Sequence, residues 1–324
     1  MFKYFSLRLM SLIPKLLVIS LIIFIGLQFV PGDPITRTIS PEVLAQLDPV
    51  QLDDLRTKLG LNDNIVIQYG HWMGNILTGN FGFSLVTGGN IREIIAQRLP
   101  RTFELAGCGL FIATFFGIIL GFISAIKQNS FIDHFNSIVG MIGISVPEFF
   151  FGLCGILLFA IKLKWLPTGG TMEFGKEGFL DRIPYLVMPS ICLGISYIAT
   201  LMRYTRSSML DVLGKDYIKT ARSKGLSEVN VYIKHGFRNA LIPIMVIMVL
   251  RIPMLVGGTV IIETVFNYPG MGSMLLSAIS GADMPLVMIT AMIIAAVILL
   301  SSFLVDIFTA VLDPRIRFNT SKEA

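Results

Sequence analysis

Three ionisable side chains of this 324-residue sequence stand inside strongly apolar stretches, where a charge is costly unless it is paired or used. Glu148 directly follows Pro147 in the middle of one stretch, and Arg251 and Glu263 lie within or at the end of another. A proline interrupts a helix and frees a backbone carbonyl. These four residues are therefore candidates for lining a pathway taken by a polar or ammonium-bearing ligand. A structural contact between neighbouring helices is the alternative, and one sequence leaves it open.

No arrangement typical of catalysis or of metal binding is recognisable. His71, His134 and His235 stand far from one another and from the three cysteines, so no metal-ligand spacing occurs. Residues 170–176 fit the first seven positions of a phosphate-binding loop, but Glu177 replaces the Ser or Thr that should follow. We therefore expect no catalytic residue, no metal site and no nucleotide site on this chain. A membrane-embedded enzyme, an alternative class of function, would need such a constellation.

The elements that must position these residues are membrane-spanning helices. The chain is 54% apolar and 15% charged, with a mean hydropathy of +0.75, whereas about a quarter of the residues in soluble domains are charged. A bilayer core about 30 Å thick needs about 20 apolar residues as helix. Six segments satisfy this requirement: 9–30, 103–126, 138–161, 185–202, 241–262 and 286–310. We expect an all-α polytopic membrane protein with six transmembrane helices, the second packed closely at Gly117 and Gly121.

Positive charges near helix ends predict which loops lie inside the cell. Lys and Arg are densest in residues 203–240, so we place this segment and both termini in the cytoplasm. The first apolar segment has a basic start like a signal peptide, but Pro-Gly-Asp-Pro follows it instead of a cleavage site, and we expect a retained helix. The expected divisions are an N-terminus and first helix at 1–30, an external loop at 31–102, a five-helix core at 103–310 that includes the cytoplasmic loop 203–240, and a cytoplasmic tail at 311–324.

The external loop carries helix signals of its own. Ser40-Pro41-Glu42 and Asp48-Pro49 each offer an N-cap followed by a first-turn proline, and Gly60 can end the helix. We therefore expect a small external helical cap after the first transmembrane helix.

The basic segment 203–240 carries a second set of candidates. Ala221 and Gly225 are four residues apart, which would put both on one face of a helix, where small side chains let another surface approach closely. Gly225 can also form a turn, and Ser227 can cap a second short helix. We expect a helix-turn-helix that projects from the membrane and docks on a partner. A basic loop that only touches anionic lipid headgroups is the alternative.

The order of these residues resembles the EAA loop of ABC-importer permeases. Asp216, Ala221, Gly225 and Leu241-Ile242-Pro243 stand at the positions of its acid, alanine, glycine and apolar-x-Pro, with Asp216 in place of the usual glutamate. Other segments resemble the dipeptide/oligopeptide/nickel branch of that superfamily: VPGDP (30–34), GNFGFS (79–84), RLPRT (98–102), TARSKGL (220–226), RNAL (238–241), ETVFNYPGMG (263–272) and LDPR (312–315). The long external loop is similar to that of the B-type subunit.

This resemblance implies the type I ABC-importer permease fold and a transporter subunit without enzymatic activity of its own. The chain would form half of the translocation pathway for dipeptides or oligopeptides, with nickel chelates or another small solute as the alternative substrates. Its partners would be a homologous C-type permease, two ATPase subunits that use ATP and magnesium, and an extracellular or periplasmic substrate-binding protein. The location would be a bacterial or archaeal cytoplasmic membrane. This chain itself would bind no cofactor and no nucleic acid.

The resemblance also assigns contact with the ATPase subunits to one group of residues. These ATPase-coupling residues are Asp216, Thr220, Ala221, Lys224, Gly225, Leu226 and Ser227. An ion channel or a self-contained secondary transporter, the remaining alternative class, would not need this segment.

Overall fold

The computed structural model describes residues 2–29, 62–172 and 178–312, together with isolated positions between 43 and 57. Of the helix signals in the external loop, Ser40-Pro41-Glu42, Pro49 and Gly60 lie outside the described residues. Asp48 is described and is an N-cap as predicted. Its Oδ1 accepts a hydrogen bond of 2.8 Å from the backbone N–H of Gln51, whose side chain in turn accepts one of 3.0 Å from Asp48 N.

The described part of the chain is built from helices, and its β-pairing is limited to one isolated bridge between Phe83 and Asn90. The helices, in chain order, are α1 (Phe2–Met10), α2 (Leu12–Gln28), α3 (Ile65–Leu77), α4 (Ile91–Ile126), α5 (Phe131–Ser145), α6 (Glu148–Gly155), α7 (Phe179–Leu213), α8 (Asp216–Ser223), α9 (Glu228–Asn230), α10 (Arg238–Leu250), α11 (Ile252–Val265), α12 (Met271–Ser280) and α13 (Met284–Leu312). Wider π-helical turns extend α6 over Ile156–Lys162 and α9 over Val231–Phe237.

Within the residues that the structure describes, five helical stretches are long and apolar enough to cross a membrane, and α5 with α6 makes a sixth if that bent pair is one span. The predicted six-helix membrane fold is therefore confirmed. The third span is strongly bent, because the helix direction changes by 102° between α5 and α6. Val146 is extended (φ −92°, ψ 131°) and Pro147 precedes α6 (φ −58°, ψ 140°), since a residue before proline is driven out of the helical conformation.

One predicted span was wrong. The fifth span is not one helix over 241–262, because α10 ends at Leu250 and a separate short helix, α11, begins at Ile252. Pro253 stands in the first turn of α11, where a missing N–H costs nothing, whereas in a continuous helix it would break the backbone ladder. The fourth predicted span, 185–202, lies within a longer helix, because α7 runs from Phe179 to Leu213.

The chain divides into two compact units. The first consists of Met1–Thr102 with Pro269–Leu299, and the second of Phe103–Tyr268 with Leu300–Ala324. The core of the first unit is formed by Ile91, Ile95, Met271, Met274, Ala278, Leu286 and Ile289. The second unit has one cluster around Leu105, Leu193, Leu255, Ile262 and Phe266, and another around Ala125, Leu201, Met209, Ala240 and Ile244.

Close packing of the second transmembrane helix at its two glycines is confirmed. A Cβ atom added to Gly121 would lie 2.5 Å from the carbonyl oxygen of Met202, and one added to Gly117 would lie 2.8 Å from Cβ of Leu201. Both distances are shorter than atoms tolerate. Any larger residue at these positions would therefore push α4 away from α7.

Candidate functional site

The segment that resembles a coupling loop, Asp216–Ser227, has a small core of its own. Ile218 and Ala221 of α8 pack against Val231 of the following π-helical turn and against Leu213 at the end of α7. Burial of these side chains holds α8 in one orientation, because the apolar contact is lost if the helix rotates. The segment is therefore a folded helix-turn-helix rather than a loose basic loop.

The prediction that Ala221 and Gly225 lie on one face of a helix was wrong. The helix ends at Ser223, and Gly225 stands beyond it with φ +77°, a left-handed conformation that favours glycine. The N–H groups of Gly225 and Leu226 bond back to the carbonyls of Arg222 (2.9 Å) and Ala221 (3.4 Å), which is the Schellman helix stop. Gly225 thus forms the predicted turn. Ala221, only 6% exposed, faces the core of the segment instead of a partner.

The outer surface of the segment is polar and mostly basic. Exposed positions include Asp216, Thr220, Lys224, Leu226 and Ser227. Ser227 occupies the N-cap position of α9, as predicted, although its side chain makes no capping hydrogen bond. These residues, unlike Ala221, are available to a partner.

An ion pair joins α8 to α9. Arg222 donates hydrogen bonds of 2.9 and 3.2 Å to the two carboxylate oxygens of Glu228. These hydrogen bonds raise the pKa of the Arg222 guanidinium above its ordinary value. Because arginine is already charged at every physiological pH, the pair is a constant clamp and not a pH switch.

The π-helical turn Val231–Phe237, whose Val231 packs against the coupling segment, lies directly on α7. A Cβ atom on Gly236, in this turn, would lie 3.3 Å from Cδ2 of Leu213 and 3.4 Å from the terminal methyl carbon of Met209. The next residue, Phe237, makes an edge-to-face contact with Phe122 of α4, with 5.5 Å between ring centroids. A displacement of the segment would therefore be passed to two membrane helices.

Glu148 and residues of two other helices converge in the second unit. Glu148, the first residue of α6, is half-buried and lies near Ser196 of α7. A Cβ atom on Gly258 of α11 would lie 3.7 Å from Glu148 Oε2 and 4.0 Å from the hydroxyl of Tyr197. Gly258 therefore lies within contact distance of both the carboxylate and the phenol.

Tyr197 and Arg251 both line one cavity. The lining residues are Leu110, Ala113, Thr114, Tyr197, Thr200, Leu201, Ile247, Met248 and Arg251. Glu148 and Arg251 are both close enough to Tyr197 for their charges to act on it. The structure thus brings two of the predicted pathway residues, Glu148 and Arg251, near one tyrosine.

The other two predicted pathway residues have different positions. Pro147 sets the bend that places Glu148 at the start of α6. Glu263 is fully buried near the end of α11 and does not belong to the cavity lining found in the described part of the chain.

Sequence reasoning missed the polar groups that α7 contributes. Ser196, Tyr197 and Thr200 fall within one or two helical turns, so one side of α7 carries three hydroxyl groups. Three hydroxyls in an apolar stretch of 18 residues could have marked this face.

A buried ion pair between α5 and α7 was also missed. Arg206 donates hydrogen bonds of 2.6 Å from Nε and 2.8 Å from Nη2 to the two oxygens of Asp133, whose side chain is only 2% exposed. Asp133 additionally accepts a bond of 2.9 Å from the backbone N–H of Asn129. Near the other end of α5, Ser196 donates to the carbonyl of Gly143 (3.2 Å). The two helices are thus joined at both ends.

Two protein-family models match most of this chain. The family described as "Binding-protein-dependent transport system inner membrane component" matches residues 117–318, and its N-terminal region family matches residues 1–106. The chain belongs to this family. It is accordingly a multi-pass inner-membrane component of an ABC importer, a transporter subunit rather than an enzyme, and the resemblance seen in its motifs is confirmed.

Two relatives match this permease over nearly its full length. It is 39% identical to the oligopeptide transport system permease protein AppB of Bacillus subtilis (strain 168), over 98% of this chain and 100% of AppB. It is 35% identical to the glutathione transport system permease protein GsiC of Escherichia coli (strain K12), again over 98% of this chain and 100% of the relative.

Solved structures of ABC transporters share the fold of this permease. The MetNI methionine ABC transporter in inward-facing conformations aligns with a TM-score of 0.52 and 15% identity, covering 68% of this chain and 96% of that one. An amino acid ABC transporter crystallised with histidines gives a TM-score of 0.51 and 14% identity, covering 67% and 93%. The expected type I importer fold is confirmed.

Proposed function

We propose that this permease is the B-type membrane subunit of an ATP-driven importer of peptides. The observation that supports this most strongly is the full-length similarity to permeases named for oligopeptides and for glutathione, which is itself a tripeptide. Such substrates share a peptide backbone, an ammonium group and a carboxylate. Within the chain, a carboxylate, a phenol and a guanidinium (Glu148, Tyr197 and Arg251) surround one region of the second unit.

Glu148 and Arg251 would contact the peptide as it passes. A carboxylate attracts an ammonium group and a guanidinium attracts a carboxylate, so the two side chains suit opposite ends of a zwitterion. Tyr197 between them offers a hydroxyl to backbone groups, and Pro147 fixes the bend that presents Glu148. We assign Glu263, which is fully buried, a structural role in the outer part of α11.

The segment Asp216–Ser227 would be the contact with the ATPase subunits. Its exposed residues Asp216, Thr220, Lys224, Leu226 and Ser227 form the docking surface, while Ala221 and Gly225 shape the segment from within. The ATPase subunits would bind ATP and magnesium and close on each other, and the segment would carry their movement to α7.

The remaining assembly follows from the family. A homologous C-type permease would supply the other half of the pathway, and a substrate-binding protein would deliver peptide on the external side. In this arrangement, 1–30 would hold the cytoplasmic N-terminus and the first transmembrane helix, and 31–102 would be the external loop. The transmembrane core would be 103–310, with 203–240 as its cytoplasmic loop, and 311–324 would be the cytoplasmic tail. Both termini would then be cytoplasmic.

Uptake by intact cells tests the substrate. Cells with and without this gene are supplied with radiolabelled di- to pentapeptides, and separately with labelled nickel, at equal expression of the other subunits. We expect loss of peptide uptake and unchanged nickel uptake in the deletion strain. Loss of nickel uptake alone would replace peptides with nickel chelates as the substrate, and loss of neither would contradict both.

A further inference from the structure

The helix α3 (Ile65–Leu77) belongs to the segment expected to be an external cap, yet it contacts the first transmembrane helix deep along its length. Tyr69 donates a hydrogen bond of 2.7 Å to Ser20, whose own hydroxyl donates to the carbonyl of Leu17. Ser20 lies eight residues before Gln28, the end of α2, which is about 12 Å along a helix that rises 1.5 Å per residue. The hydroxyl of Tyr69 therefore lies well inside the length of α2, about 12 Å from its Gln28 end.

Aromatic contacts fix the same depth independently. The ring of Phe24 lies 5.4 Å from that of Tyr69 and 5.7 Å from that of Trp72, measured between centroids. Phe24 and Ser20 are one turn apart on α2, so α3 follows the outer half of this helix over more than one turn. At 13 residues, about 20 Å, α3 is too short to cross a core about 30 Å thick.

The composition of α3 differs from that of the chain before it. Nine Asp, Glu, Lys or Arg residues occur between Pro31 and Asn64, whereas none occurs within α3, between Ile65 and Leu77. The helix also exposes large apolar side chains, among them Val66 (72% exposed) and Leu77. A water-exposed loop has no reason to exclude charge over this length, but a segment in hydrocarbon must.

We propose that α3 is inserted in the outer half of the bilayer, where its exposed apolar side chains contact lipid acyl chains. Lipid is the occupant because the face of α2 beside it, with Leu17, Leu21 and Ile25 exposed, already forms the lipid-facing surface of a transmembrane helix, and α3 continues that surface. This inference requires that α2 spans the membrane with its Gln28 end on the external side, and it stands or fails separately from the substrate assignment.

Cysteine labelling tests whether water reaches α3. Cys108, Cys154 and Cys192 are replaced by alanine, and single cysteines are introduced as Val66→Cys in α3 or Val50→Cys in the charged part of the external loop. The two valines are similarly exposed in the structure (72% and 77%), which makes them a matched pair. In the intact complex in sealed membranes, we expect a water-soluble maleimide to react at least about tenfold more slowly with the cysteine at 66, because it needs a thiolate formed in water. Equal reaction rates would overturn the proposal.

Lipid-borne quenchers then identify the occupant. Each single cysteine is labelled with bimane before reconstitution of the complex into phosphatidylcholine vesicles that contain a nitroxide on the acyl chain. We expect strong quenching at position 66 and little at position 50. Protection from maleimide without quenching would show that another subunit covers α3, and it would refute lipid contact. Equal labelling of the two cysteines after denaturation checks that both thiols are intact.

Discussion

Substituting Arg206 tests the energy of the ion pair between α5 and α7. Arg206→Met would leave the Asp133 carboxylate buried with one remaining hydrogen bond, from Asn129. Removing one partner of a buried pair costs about 3–5 kcal/mol. Because the Arg206 side chain is 31% exposed and water screens part of the interaction, we expect the lower end, about 3 kcal/mol.

The conservative variants give an ordered series. Arg206→Lys keeps the charge but loses the two-pronged geometry, and we expect it to cost about 1 kcal/mol. Adding Asp133→Asn to Arg206→Met removes the stranded charge, so the double variant should be more stable than Arg206→Met alone. Arg203→Met, at an exposed position of the same helix, serves as the control.

The assay has a stability readout and a transport readout. Thermal unfolding of the purified complex gives the order of stabilities, and proteoliposomes give peptide uptake per ATP hydrolysed. We expect Arg206→Met to lower this ratio, because α5 would no longer follow α7. If Arg206→Met unfolds no earlier than Arg203→Met, or if the double variant is the least stable, the energetic reasoning is refuted.

Three further substitutions have expected outcomes. Gly225→Ala forces an alanine into a left-handed conformation at a cost of about 1 kcal/mol, and uptake should fall relative to ATP hydrolysis; wild-type coupling would exclude this turn from force transmission. Gly121→Leu should abolish assembly of the complex in pull-down experiments, because even a Cβ would clash with α7, whereas Gly107→Leu, which has open space, should assemble normally. Glu148→Gln should slow uptake of peptides with a free amino terminus more than that of acetylated peptides, and equal effects on both would contradict contact with the ammonium group.

The sequence correctly predicted structural features that depend on residues adjacent in the chain. Its predictions were wrong where contacts with more distant residues determine the structure. The turn at Gly225 and the break at Pro147 follow from local backbone chemistry, and both were predicted. The burial of Ala221 depends on Val231 and Leu213, which reach it only after the segment folds. Helical spacing alone assumed that the helix continued to Gly225 and therefore assigned Ala221 to an exposed face.

The ion pair of Asp133 shows the same limit in another form. Asp133 lies just before the predicted start of the third span, where an acidic residue in a first helical turn has an ordinary explanation in the helix dipole. Its partner, Arg206, was counted only among the positive charges that set orientation. Seventy-three residues separate the two, so only the fold could show that they meet.

The contacts along α7 explain how a docking segment without chemistry of its own can act on a pathway in the membrane. Leu213 packs against the coupling segment, Met209 lies against the π-helical turn that follows it, Arg206 binds Asp133 of α5, and Ser196 donates a hydrogen bond to the carbonyl of Gly143 of α5. Gly140 and Gly143 let α5 lie against α7 between these points, since a Cβ on Gly140 would be 2.5 Å from the terminal methyl carbon of Met202. Helices joined at several points cannot slide independently. A tilt of α7 must therefore move α5 with it, and the bend at Pro147 turns that movement into a displacement of Glu148.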